Sequence, residues 1–308
     1  MTTSVELGVS IPQTFPDRPV DAGFIRHYLA RAEGLGFHSA WVVEQVLGSI
    51  PSLEPIELLT YAAAVTERMR LGAAVLLTAL RSPVHTAKSL ATLDHLSGGR
   101  LDVGVGLGAD RTAYPAYGLA SARRAARFTE GIRLMKRLWT EPRVTFEGEF
   151  WTLRDASMEP KPVQRPHPPL WFGAHHPDAL RRTAELGDAF MGAGSLSTAK
   201  FAEEVTLLRR FLADAGRDPD AFSIGKRVYI AVDRDAARAE KRLTEWFGAF
   251  YGRPQLATEV SVWGPVEACL DGLARVAAAG ARLIMLNPIF DELEHLERFA
   301  ADLAPRLR

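Results

Sequence analysis

The chain has 308 residues, 47% of them hydrophobic, with 37 Lys plus Arg balanced by 37 Asp plus Glu. Such a length and apolar content allow one large α/β barrel or two medium domains. The charge balance leaves no electrostatic footprint for nucleic acid or an anionic membrane surface. One cysteine, Cys269, excludes an intramolecular disulfide framework and a cysteine-cluster metal site, and it sits in an apolar helical pattern with Val266, Leu270 and Leu273. No apolar run approaches the ~18 residues of a membrane span, and Met1 leads into a strand-like run without a leader pattern, so a cytoplasmic location is expected.

Val5–Ile11 is a short apolar run stopped by Pro12 and predicts a buried strand. Phe24, Ile25, Tyr28, Leu29, Ala32 and Leu35 recur at helical spacing, closed by Gly34 and Gly36. Ser39–Val43 is the next strand, a helix follows over about Pro55–Glu67, and Leu71–Leu77 is the third strand. The Pro83–Leu96 helix starts with proline in its first turn, as helices prefer. It ends at Gly98–Gly99, and Leu101–Val105 is the fourth strand.

Later strands are predicted at Leu170–Gly173, Asp188–Gly192, Ile224–Val232 and Arg282–Asn287. One junction recurs: a helix, a glycine, then a short apolar strand, at Gly36, Gly98, Gly187 and Gly280. About eight strands separated by helices demand a parallel sheet, because each crossover returns the chain to the same end. Eight units in this length fit a closed (β/α)₈ barrel, with an open doubly wound sheet as the alternative. The chain is expected to form a single barrel domain over 1–308. Two segments break the regular unit: Ala109–Pro169, with a helix over about Ser121–Trp139 and a hairpin at Val144–Leu153, and the aromatic-rich Phe247–Gly264. They are read as insertions after strand 4 and strand 7, at the end where barrels grow active-site loops.

GVGLGA at Gly104–Ala109 formally satisfies a dinucleotide fingerprint but fails on context, since it follows a fourth strand and does not open directly into a helix. Its glycines, Gly106 and Gly108 among them, either let a planar ring approach the backbone or serve tight packing. Gly173, Ala174, His175 and His176 precede a helix with an early proline. They form either a phosphate cradle or a plain turn with a histidine cap. Adjacent histidines cannot face one point, and no metal site is expected there.

Glu44 and Gln45 end the second strand. Glu44 is either an acid or base at the barrel mouth or a structural ion pair; Gln45 can hydrogen-bond but cannot transfer a proton. Arg81, Arg111 and Tyr114 lie on loops after strands three and four, suited to ligand contacts or to solvated surface. Arg100, beside Asp94 and the glycine cap, reads as structural.

With these residues in hand, the chain resembles the bacterial luciferase-like monooxygenase superfamily, which includes enzymes using the deazaflavin coenzyme F420. The resemblance covers nearly the whole chain. It rests on GFHSAWVVE at Gly36–Glu44, RLGAAVLL at Arg70–Leu77, and SP…ATLDHLSGGRLDVGVGLG at Ser82–Gly108. Further matches are LWTEPRVTFEGEF at Leu138–Phe150, PKPVQRPHPPLWFGA at Pro160–Ala174 and ALRRTAELGDAF at Ala179–Phe190.

The resemblance implies a TIM barrel, often a homodimer, with F420 or FMN at the C-terminal mouth and a small-molecule substrate. It places a non-prolyl cis peptide at Ala74–Val75, backing the cofactor ring, with Thr78 and Tyr114 among the cofactor contacts. It places the cofactor phosphate at Gly173–His176, with a further contact region at Gly192–Ala193–Gly194. Two departures stand out. Gln45 replaces the histidine that usually follows the acid, and Ala109 stands where the sugar-phosphate dehydrogenases of the family carry a glutamate. Sugar-phosphate oxidation and bioluminescence are therefore disfavoured. The expected activity is F420-dependent hydride transfer, with Glu44 and Gln45 as catalytic residues and a separate enzyme recycling the cofactor. The alternatives are an FMN monooxygenase fed by a reductase and a non-catalytic cofactor-binding protein.

Overall fold

The computed structural model describes residues 5–16, 18–108 and 114–307. The chain begins β1 (Glu6–Ser10), α1 (Ala22–Gly34), β2 (Ser39–Val42), α2 (Pro55–Val65), β3 (Arg70–Ala73), α3 (Pro83–Leu96) and β4 (Leu101–Val105). Next come α4 (Arg124–Thr140) and an antiparallel hairpin of β5 (Val144–Glu147) and β6 (Thr152–Ala156). The alternation resumes with β7 (Leu170–Phe172), α5 (Pro177–Leu186), β8 (Ala189–Gly192), α6 (Thr198–Asp214) and β9 (Ser223–Val232). The chain ends with α7 (Ala236–Tyr251), α8 (Leu256–Val260), β10 (Val262–Gly264), α9 (Val266–Ala278), β11 (Leu283–Asn287), α10 (Glu292–Arg298), a π-helical turn at Phe299–Leu303 and α11 (Ala304–Leu307).

Eight strands close a parallel ring in the order β1, β2, β3, β4, β7, β8, β9, β11 and back to β1. This is the (β/α)₈ barrel. β10 lies outside the ring, paired in parallel with β9. Local chemistry agrees with the layout. Ser82 and Ser197 cap α3 and α6 through their hydroxyls, and Asp21 and Asp235 cap α1 and α7, each satisfying an amide that the first helical turn leaves without a partner. Gly98 and Gly99 have φ of 65° and 82°, the left-handed turn that reverses the chain from α3 into β4. Arg100 donates to Ser97 O, Met69 O, Ala63 O and Thr66 O, binding that turn to the end of α2.

Two tryptophans dominate the barrel interior. Trp41 meets Trp171 edge-on with ring centroids 5.4 Å apart, and Ala189, Met191, Leu283 and Met285 pack around them. Room for Trp41 comes from Gly72, where a Cβ would lie 2.3 Å from the indole. Trp171 Nε1 donates to Asp102 Oδ1 at 3.2 Å, and Asp102 is held by Arg70 at 2.7 Å. A buried indole and a buried carboxylate thus satisfy each other.

Among the predicted boundaries that differ, two bear on the site. The third strand ends at Ala73 and not Leu77, because the Ala74–Val75 peptide is cis and turns the chain out of the ladder. Leu76 then rejoins β4 through one parallel bridge to Val105. The aromatic segment from Phe247 begins as the last turns of α7, whose apolar positions Leu243, Phe247 and Tyr251 recur at helical spacing. Among the described residues no helix is long and apolar enough to cross a membrane.

Candidate active site

The C-terminal ends of the ring strands gather most of the residues singled out in the sequence. Glu44 follows β2 with its side chain 1% exposed, and both its oxygens are engaged. Oε2 accepts the Leu77 N–H at 2.6 Å; Oε1 accepts from Arg81 Nη2 at 2.8 Å. Arg81 also binds Glu54, which caps α2. This acidic pairing holds the Arg81 guanidinium pKa above its ordinary value despite partial burial, and the Glu54 carboxyl is held below the usual carboxylate range against its own burial. Glu44 therefore stands in the ion-pair arrangement, bracing the segment just after the cis peptide. Arg81 is that brace's cation, not a solvated side chain.

The glycines of β4 face the bulge. A Cβ on Gly104 would fall 1.6 Å from Ala73 O, and one on Gly106 would fall 2.5 Å from Val75 Cγ2. On Gly173 it would lie 3.1 Å from Val75 Cγ1, and on Gly108, whose φ is 70°, 3.0 Å from Leu77 Cδ2. The absent side chains make room for Val75 and Leu77 of this same chain. Val75 is thereby wedged between two strand ends, with Ala74 against the tryptophan floor. Two buried polar atoms on the segments after β2 and β3 have no hydrogen-bond partner among the described residues, Thr78 Oγ1 and Gln45 Oε1, and the Gln45 side chain lies against Gly48. Tyr114 is fully buried; its hydroxyl donates to Leu107 O at 3.2 Å, and burial raises its pKa. Ala109 and Arg111 lie outside the described residues.

The β7 and β8 ends are neighbours in the ring. Gly173 spends its N–H on Val105 O at 3.0 Å, so that amide belongs to the sheet. His176 caps α5, its Nδ1 accepting from Asp178 N at 3.2 Å. His175, half exposed, meets Glu204 Oε1 through Nδ1 at 2.9 Å, while Glu204 Oε2 is buried without a partner among the described residues. The two histidines thus do different jobs. Beyond β8, Gly192 makes room for Phe201 and Lys226, and Ala193 O accepts from the Lys226 ammonium, which also binds Leu196 O at 2.8 Å. Burial depresses Lys226 to about 7, partly offset by Glu204.

Sequence reasoning passed over the opposite side of the mouth. There Arg227 Nε donates to Asn287 Oδ1 at 2.8 Å, Arg227 also binds the Tyr229 hydroxyl, and its guanidinium lies 4.6 Å from the Tyr229 ring centre. Tyr229 and Tyr251 share a hydroxyl contact of 2.7 Å, and Trp246 stacks on Phe250. The signal was present in β9, where Lys226 and Arg227 interrupt an otherwise apolar strand.

A closed parallel barrel with its polar groups collected at the C-terminal strand ends has the layout of (β/α)₈ enzymes. The family model for luciferase-like monooxygenases matches residues 5–279. The chain belongs to that family of oxidoreductases. It is 29% identical to an F420-dependent glucose-6-phosphate dehydrogenase of Kineococcus radiotolerans over 93% of each chain. A protein of the same name from Beutenbergia cavernae is 30% identical, over 91% of this chain and 92% of that one. Among solved structures, a monooxygenase from Streptomyces bottropensis superposes with a TM-score of 0.85 at 26% identity, over 97% of this chain and 99% of the other. An F420-dependent secondary alcohol dehydrogenase in complex with an F420-acetone adduct gives 0.87 at 20% identity, over 99% of both, a likeness of fold.

Proposed function

We propose that this chain is an F420-dependent oxidoreductase that moves a hydride to or from a small organic substrate. The observation that supports it most is the Val75 wedge, followed three residues on by Thr78, whose buried Oγ1 has no partner among the described residues, as Gln45 Oε1 has none. A buried hydroxyl and amide oxygen left without partners are costly unless a ligand completes them. A flat heterocycle with polar edges fits that face. The full-length F420-dependent relatives favour the deazaflavin over FMN.

In this reading Ala74 and Val75 back the ring, Gly106 and Gly108 shape the wedge, and Thr78, Gln45 and Tyr114 line its polar border. The phosphate end lies toward Ala174, His175 and the α5 N-terminus, with Gly173 packing against Val75 and with Gly192 and Ala193 alongside. Bound coenzyme F420 supplies hydride chemistry; the protein holds and orients the reactants. Glu44 fixes the backbone at Leu77, and Gln45 presents an acceptor where the family resemblance implies histidine. The working form would be a homodimer in the cytoplasm, with a separate dehydrogenase recycling the coenzyme.

Titrating purified protein with coenzyme F420 and with FMN, followed by absorbance and fluorescence, tests the reading. Saturable binding of F420 and none of FMN is expected. Tight FMN binding without F420 binding would overturn it in favour of a reductase-fed monooxygenase.

A further inference from the structure

The mouth has a second polar knot, across the tryptophan floor from the Val75 wedge. Arg227 pairs in register with Met285, and Asn287 with Tyr229, so β9 and β11 bring these side chains to the barrel top. Around them lies a small cavity walled by Trp41, Trp246 and Phe250 and also by Glu292, whose carboxylate is bound by Arg18. Among the described residues no carboxylate forms an ion pair with Arg227, whose contacts are an amide oxygen, the phenol oxygens of Tyr229 and Tyr251 and an aromatic face. The Trp246 indole N–H is shielded from solvent and has no partner among them either. A sheltered guanidinium with only neutral partners among the described residues, beside an unpartnered indole donor, leaves a positive charge uncompensated. Both groups only donate, so the missing partner must accept.

We propose that this pocket binds the substrate, and that the substrate is a ring-bearing organic carboxylate. Its carboxylate meets Arg227 and the Trp246 N–H, and its ring lies among Trp41, Trp246 and Phe250. The proposal deepens the oxidoreductase reading by naming the substrate class, and rests on it. The room available, about 40 Å³, holds only about three waters at roughly 10–15 Å³ each. It accommodates the carboxylate end, with the ring reaching outward along Trp246 and Phe250. Sugar phosphates fit poorly, since polyol hydroxyls would lose hydrogen bonds against the aromatic walls and a dianion would meet a single guanidinium.

Calorimetric titration with benzoate, benzamide and glucose 6-phosphate, with and without coenzyme F420, tests this. Benzoate should bind about 10-fold or more tighter than benzamide, as a charge-assisted contact requires, and glucose 6-phosphate should bind weakest. Arg227→Gln should erase the benzoate preference while leaving benzamide affinity unchanged, which a collapsed pocket would not do. Trp246→Phe should weaken benzoate about 5-fold. Absence of benzoate binding under both conditions, tighter binding of glucose 6-phosphate, or an equal loss of both benzene ligands in Arg227→Gln would overturn the proposal. The two readings fail separately. Benzoate binding without F420 binding keeps the pocket and removes the cofactor assignment, whereas F420 binding without benzoate binding removes the pocket alone.

Discussion

Glu44 Oε2 accepts the Leu77 backbone N–H at 2.6 Å, so the end of β2 anchors the chain two residues beyond the cis bond. With Arg81 on its other oxygen, this carboxylate is a brace. Glu44→Ala should cost about 2–3 kcal/mol, because the partly buried Arg81 charge keeps only Glu54 and the Leu77 amide loses its acceptor. Glu44→Gln keeps the acceptor and should cost roughly 1–2 kcal/mol. Urea denaturation reads both. A proton-transfer role would show the reverse, with stability kept and turnover lost in Glu44→Gln.

Gly106 and Val75 should be coupled. Gly106→Ala drives a methyl into Val75 Cγ2 at 2.5 Å and should destabilise by about 1–3 kcal/mol. Adding Val75→Ala removes the obstacle, so the double variant should recover a large part of that loss. A double-mutant cycle on the denaturation midpoints checks it, and additive effects would dissolve the wedge.

Lys226 makes stability depend on pH. Its folded pKa of about 7 lies far below the ordinary lysine value of 10.5, because burial disfavours the charge. Between those values the unfolded chain holds the proton and the folded chain releases it. Stability should therefore rise as pH climbs from about 7 toward 10.5, by at most about 1.4 kcal/mol per pH unit. Below about 7 both forms are protonated and the contribution is flat, with the burial penalty in full. Lys226→Met should remove this slope. Denaturation of both proteins at pH 7 and pH 9 gives the difference.

The neighbouring histidines should separate. His176→Ala loses the α5 cap and should cost about 0.5–1 kcal/mol, recovered by His176→Ser. His175→Ala, on a half-exposed ring tied to Glu204, should leave stability nearly unchanged and weaken F420 binding. Thermal melts alongside coenzyme titrations distinguish them.

Much of the barrel was legible because each βα unit carries its own punctuation. Gly98 and Gly99, an apolar five-residue strand and a proline-started helix each leave a local signature. The end of β3 was not legible from periodicity, since Leu71–Leu77 remains apolar past the point where the backbone turns away. Only the family resemblance located that turn. The glycines of β4 were read as space for a ring, yet side-chain removal says only that something comes close. Which neighbour comes, here Val75, depends on the adjoining strand. Arg227 escaped notice because its meaning lies in Asn287, 60 residues away, across a strand pair that no local pattern reveals.

The Trp41–Trp171 pair also divides the molecule's tolerance for change. Large indoles seated in space vacated by Gly72, and tied through Asp102 to Arg70, plug the barrel midway. Below that plug, the glycine turns at Gly36, Gly98 and Gly280 share no wall with the mouth. Affinity tags, surface attachment points or stabilising substitutions belong at that lower rim, where an engineer can alter the protein without speaking to its ligands.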